Sequence, residues 1–166
     1  MSELRSWSFH VIEILAKAEY LIRQGKYDNE AGKPTDIVHL RSLVETGRLY
    51  FPNMKRDEYG QHKFPASRGF RHPVLDPIVA AIQIIEDPEY PHRTKILKLL
   101  RKQFISLMDE VLAPGEYNRK IGKIIEKVFS RHFKKNSLSK DEVPGGSEVL
   151  LQEMALIVRE GDWKLD

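Results

Sequence analysis

The sequence predicts an all-α fold, a single-domain bundle of five or six helices with one long loop. Three observations lead to this prediction. Apolar residues recur at spacings of three and four along most of the chain, which is the period of a helix that buries one face. Runs with a period of two and Asn-Gly hairpin turns are absent from the sequence. The length of 166 residues suits one domain with a core of its own.

Six segments carry the helical pattern. They span residues 7–24, 35–47, 76–86, 93–112, 116–133 and 147–160. The first is the clearest, because its apolar residues share one face and Gly25 is a typical C-terminal stop. The second begins at an N-cap residue, Thr35 or Asp36, and is expected to end near Gly47. Residues 49–51 fit either a last helical turn or a short extended segment.

The later helices have equally local signals. Asp76-Pro77 combines a capping residue with a proline at the first helical position. The residues that follow are almost all apolar, which predicts a central helix buried on most sides. The next two helices each carry one apolar stripe, starting at Ile96 and at Tyr117 respectively. Ser147 is the expected N-cap of the last helix.

The chain divides into a helical core at residues 1–135, a linker at 136–146 and a C-terminal helical segment at 147–166. The last helix is apolar over more than one face, so we expect it to dock on the bundle or on a second chain, the latter giving a homo-oligomer. Residues 52–69 have no clean period and form the long loop. A connection of this length is uncommon in a compact domain and is often functional.

The composition excludes several classes of protein. Cysteine is absent, which removes disulfides, thiol nucleophiles and cysteine-containing zinc sites. No stretch approaches the roughly 20 apolar residues of a membrane span, and no signal-peptide core follows the N-terminus, so we expect a cytoplasmic protein. The six histidines show no spacing of three or four, and no nucleotide-binding motif is present. We therefore predict no metal site and no cofactor.

Basic residues are concentrated in one predicted helical hairpin. Residues 93–135 hold twelve basic and four acidic residues, a net charge of +8, whereas the rest of the chain has 15 basic and 20 acidic residues, a net charge of −5. Within each helix the cations recur at spacings of three and four, so they form stripes. The residues expected to bind a partner are Lys95, Lys98, Lys102, Lys120, Lys123, Lys127 and Arg131.

These stripes predict a non-enzymatic module that binds a polyanion, either nucleic acid or an acidic protein, through the basic hairpin. A solvated helix face without a partner is the alternative interpretation. A structural or oligomerisation role is a further alternative.

The long loop is the second candidate site. Residues 48–72 hold five of the fifteen aromatic residues, together with six basic and two acidic ones. Rings mixed with cations suit single-stranded nucleic acid, in which bases stack on aromatic side chains. The alternative is structural: the rings anchor the loop, and the arginines bond loop carbonyls or a helix-end carboxylate. The residues of this candidate are Arg48, Phe51, Arg68, Phe70 and Arg71.

Two pieces of this region also carry a resemblance. The segment GRLYFPN at residues 47–53, followed by RGFRHPVLD at residues 68–76, resembles a pattern in small uncharacterised bacterial proteins. In that pattern an aromatic pair before Pro-Asn is separated by a variable loop from an Arg-Gly-aromatic-Arg stretch. The resemblance implies a bacterial source and no particular activity.

Arg56 and His62 are candidates for a catalytic pair. Their spacing resembles that of the ribonucleases among HEPN helical bundles, in which an arginine is followed by a polar residue, four further residues and a histidine. That resemblance implies a metal-independent ribonuclease, with histidine moving a proton and arginine stabilising phosphate charge. Chance alone gives about one such pair among twelve arginines and six histidines. The ribonuclease is therefore an alternative to the binding module.

Overall fold

The computed structural model describes residues 2–29, 33–54, 62–65, 68–112 and 146–160. These residues form five α-helices and two short 3-10 helices. The α-helices are α1 Ser2–Arg23, α2 Lys33–Tyr50, α3 Asp76–Glu86, α4 Arg93–Leu112 and α5 Gly146–Glu160, and the 3-10 helices are η1 Tyr27–Asn29 and η2 Pro73–Leu75. The described part of the chain contains no β-strand, which confirms the all-α prediction. The predicted helix at residues 116–133 lies outside it.

The first helix ends where the sequence predicts. Gly25 has a φ of 66°, the left-handed conformation that glycine adopts without strain. The N–H of Gly25 donates to the carbonyl of Ile22 at 2.9 Å, and the N–H of Lys26 donates to that of Leu21 at 3.0 Å. This pair of bonds is a Schellman motif, which satisfies carbonyls that the end of the helix leaves open.

Two helices are longer than predicted. The helix α1 begins five residues before Trp7, because Leu4 continues its apolar stripe onto the core. The helix α2 passes through Gly47 and reaches Tyr50, and the N–H of Phe51 still donates to the carbonyl of Gly47 at 2.8 Å. The expected stop at Gly47 was therefore wrong.

The helix α3 is the centre of the core. Eight of its eleven residues are buried, and it packs against α2, α4 and α5. The helix α5 contacts α3 and α4 and buries one side through Leu151, Met154 and Val158. Burying α3 on several sides is what its almost continuous apolar sequence requires.

The expected N-cap at Asp76 was wrong. Asp76 is the first residue of α3, and its carboxylate accepts a hydrogen bond from Arg71 at 3.1 Å. The N-cap position belongs to Leu75, whose side chain makes no capping bond. Capping occurs one step earlier, where the ring Nδ1 of His72 accepts from the N–H of Val74 at 3.3 Å and starts η2.

A buried arginine connects the end of α3 to the start of α4. Arg93 is 8% exposed and donates to the carbonyls of Ile84 and Ile85, both at 3.1 Å. It also forms an ion pair with Asp28 at 2.9 Å. A guanidinium has enough donors for all three partners, whereas an ammonium lacks this fork. These bonds fix the first turn of α4 against the end of α3, and α4 then packs against α1.

Every helix in the described ranges is too short or too polar to cross a lipid bilayer.

Candidate anion-binding groove

A groove of about 430 Å³ lies between α1 and α4. Its walls come from the C-terminal part of α1 and the N-terminal half of α4. The lining residues are Glu19, Ile22, Arg23, Thr94, Lys95, Lys98, Leu99 and Lys102. The three lysines are those predicted on this helix, and the structure brings all of them into one concave site. The arginine was not predicted as a site residue.

The groove exists because α1 and α4 pack in opposite directions. Trp7 near the start of α1 contacts Phe104 in the second half of α4, with 5.8 Å between ring centroids. Farther along α1, Glu19 meets Arg101. The end of α1 therefore faces the beginning of α4, and Arg23 lies across from the lysines.

Helical spacing places the three lysines on one side of α4. Lys95, Lys98 and Lys102 fall within about 60° of one another around the axis and extend over about 10 Å along it. All three are partly buried. Partial burial is typical of lysines that lay their methylene stems on apolar surface and keep the ammonium in water. Ile22 and Leu99 supply apolar lining in the same groove.

The carboxylate in the lining already has a strong partner. Glu19 Oε2 accepts from Arg101 Nε at 3.1 Å and from Nη2 at 2.8 Å. The side chains of Glu19 and Arg101 are 12% and 24% exposed, so this charge-assisted pair is largely shielded from solvent. The lining has four cations and this single carboxylate among its described residues, a net charge of +3. Because Arg101 offsets the carboxylate from outside the lining, the groove presents a positive potential.

An exposed aromatic ring stands beside the arginine of the groove. Tyr20 is 54% exposed and lies one turn before Arg23 on α1. The guanidinium carbon of Arg23 is 5.9 Å from the centroid of the tyrosine ring, which is within the range of a cation–π contact. Neither residue stands out in the sequence as part of a site, because both lie on α1, in which basic and acidic residues are equal in number.

The remaining predicted cations are Lys120, Lys123, Lys127 and Arg131, which lie outside the described residues. Their part in the predicted basic hairpin therefore stays a prediction.

The two rings of the second candidate site are buried to different degrees. Phe51 is 2% exposed and contacts Trp7 and His72, with centroid separations of 5.8 and 5.1 Å. Phe70 is partly buried, and its backbone forms two hydrogen bonds with Met54, at 2.8 and 2.9 Å. Phe51 thus anchors the end of α2 in the core. This contact is the one expected if the aromatic residues of the loop have a structural role.

The arginines of the second candidate site also bond within the fold. Arg71 forms an ion pair with Asp76 at 3.1 Å, and Arg68 Nε donates to the carbonyl of Lys63 at 2.9 Å. Arg48 pairs with a carboxylate three residues earlier in α2. Burial raises the pKa of Asp76 to about 7, against the opposing effect of Arg71. These contacts match the structural interpretation of the arginines.

The candidate catalytic pair is not brought together in the described residues. Arg56 lies outside them, and His62 is an exposed residue in a turn rather than in a helix. A second arginine and histidine, Arg5 and His10, fit a looser form of the same spacing and lie on α1 with their side chains about 140° apart around the axis. Within the described ranges, no group of three or more histidine, aspartate and glutamate residues is placed to hold a metal ion.

The fold and the groove together define an all-α bundle with a cationic cleft between two antiparallel helices. A scan against models of known protein families finds no match for this chain, and searches of the curated proteins and of the solved structures find none either.

Proposed function

We propose that this protein is a non-enzymatic helical module that binds a polyanion through the groove between α1 and α4. The observation that carries the proposal is the lining itself, with four cations around one carboxylate that Arg101 already neutralises. A concave surface with this charge attracts polyanions, since low-dielectric walls focus the positive potential.

The geometry suits a ligand with charges repeated along a chain. The lysines of α4 cover about 10 Å, and the arginine of α1 approaches from the opposite wall. Several charges of one polyanion can therefore be contacted together. Such binding releases condensed counterions and weakens steeply as salt is added.

Affinity for labelled duplex DNA and for heparin, measured by fluorescence anisotropy over a range of salt concentrations, tests this proposal. Four phosphate contacts on duplex DNA predict a slope of log K against log salt of about −3.6. The variant K98E/K102E should reduce the steepness of the slope by about 1.8 and weaken binding by at least about tenfold. Thermal unfolding verifies that the variant folds.

The matched control is R5E/R159E, which changes the net charge equally. Both arginines are exposed and lie outside the groove lining, and Arg5 is about 20 Å along α1 from Glu19. This control should bind within about twofold of the wild type at moderate salt, where the Debye length is about 10 Å. Equal losses in the two variants, or no loss in K98E/K102E, would overturn the groove as the binding site.

A further inference from the structure

We propose that the polyanion is single-stranded nucleic acid, and that Tyr20 is a base-stacking residue at the rim of the groove. This inference rests on the proposed function, because it assigns a ligand class to the same groove. Two independent features carry it: the exposed ring of Tyr20 beside the cations, and the size of the groove.

Tyr20 is an exposed aromatic residue next to the groove lining on α1. Its ring is more than half exposed, and both Glu19 and Arg23, which flank it on α1, line the groove. The guanidinium of Arg23 lies 5.9 Å from the ring centroid. The arginine lies over the ring, while the exposed part of the ring is open to solvent.

This arrangement is the combination that single strands require. Each unpaired base offers an apolar aromatic face to the tyrosine ring, and the phosphates on either side meet the cations. Bases of a duplex are already stacked and paired, so they have no face to offer. Polyglutamate would use the cations but has no aromatic face to stack on the exposed ring.

The dimensions of the groove favour one strand. Its volume of about 430 Å³ lies at the small end of the range for small-ligand sites, about 300–1,000 Å³. The lysines cover only about 10 Å along the groove, a length over which one strand can place a few phosphates. Ile22 and Leu99 add apolar lining on which a sugar or a base edge can rest.

An abasic oligonucleotide separates stacking from charge. A labelled thymidine decamer and a decamer of the same length made only of abasic nucleotides carry the same phosphates, but only the first has bases. The full-length protein should bind the thymidine decamer at least about fivefold more tightly than the abasic one. Y20A should lose this difference and bind the abasic decamer as the wild type does, whereas Y20F should behave as the wild type.

The control variant is F9A. Phe9 is an exposed aromatic on the same helix, within about 20° of Tyr20 around the axis and about 16 Å away along it. Its removal should leave the affinity for both decamers unchanged. Since Tyr20 and Phe9 are both exposed, the two variants should fold equally well, which thermal unfolding verifies.

The outcomes separate this inference from the proposed function. Groove-dependent binding that is equal for both decamers, equal losses of both ligands in Y20A, or tighter binding of polyglutamate would overturn the inference and leave polyanion binding in place. If K98E/K102E binds every tested polyanion as the wild type does, both proposals fail.

Discussion

Gly47 lies in the interior of α2 at the point where three elements meet. It is buried, and a methyl group added to its Cα would lie 2.7 Å from Trp7 Cζ2 on α1 and 2.7 Å from Leu75 Cδ2 on η2. Two carbon atoms in ordinary contact are about 3.5–4.0 Å apart, so the methyl would overlap both neighbours by about 1 Å. Glycine is needed here because the elements approach closely, and its conformation is ordinary helix.

The two neighbours have little freedom to move. The indole Nε1 of Trp7 donates to the carbonyl of Leu43 at 2.9 Å, and its ring packs against Phe51 and Phe104. Leu75 is completely buried. Overpacking of a filled core costs about 1–3 kcal/mol, and two fixed neighbours place this site near the upper limit.

We therefore expect Gly47→Ala to destabilise the protein by about 2 kcal/mol. This value is the packing cost of about 3 kcal/mol less the gain of about 1 kcal/mol that alanine brings to a helix interior. For a chain of 166 residues the melting temperature should fall by about 4–8 °C. Urea unfolding followed by circular dichroism measures the change in free energy, and a thermal scan measures the temperature shift.

Two further variants show whether the clash is the cause. Ser42→Ala, at an exposed position of the same helix, should change the stability by less than about 0.5 kcal/mol. Leu75→Val removes the Cδ2 atom, so the double variant Gly47→Ala/Leu75→Val should lose less stability than the two single changes added together, by about 1 kcal/mol. A Gly47→Ala protein as stable as the wild type would refute the argument.

Two other changes have expected outcomes. Arg93→Ala should lower the free energy of unfolding by about 2–4 kcal/mol, because the buried carbonyls of Ile84 and Ile85 lose their donor. A loss of less than about 1 kcal/mol in urea unfolding would contradict the role of Arg93 as the donor to these carbonyls. Asp76→Asn should remove a pH dependence. Burial raises the pKa of Asp76 to about 7 in the folded chain, against about 3.9 when unfolded, so the folded state binds more protons between these values. The free energy of unfolding of the wild type relative to the variant should therefore fall as the pH rises through this window, by at most about 1.4 kcal/mol per pH unit. Urea unfolding of both proteins at about pH 5 and about pH 8 measures this difference. The same difference at both pH values would rule out the titration of Asp76 as its cause.

Local patterns in the sequence were sufficient for the fold class and for most helix ends. Gly25 stops α1 through the positive φ that its position requires, and the apolar run after Asp76 forms the buried central helix. Gly47 was misread as a stop, because a glycine that permits close packing has the same local appearance as one that ends a helix. The difference depends on Trp7 and Leu75, which are far away in sequence.

One wall of the groove could be predicted from the sequence, and the other could not. The spacing of Lys95, Lys98 and Lys102 places them on one helix face, which helical geometry alone determines. The opposite wall with Arg23 and Tyr20 depends on α1 and α4 packing in opposite directions, a relation that no local pattern contains.

The arginines of the loop show most clearly that the sequence does not identify the partners of a charged residue. In the sequence alone, the placement of Arg68 and Arg71 among aromatic residues is equally consistent with a nucleic-acid surface and with internal bonds of the loop. In the fold Arg71 meets a buried carboxylate at Asp76 and Phe51 enters the core, which are contacts that the structural alternative predicts. The sequence by itself determined the fold class and which charges share a helix face, since both depend on residues less than two turns apart. Which charges face a groove and which are neutralised was decided only by the tertiary structure, because those partners are brought together by packing across the chain.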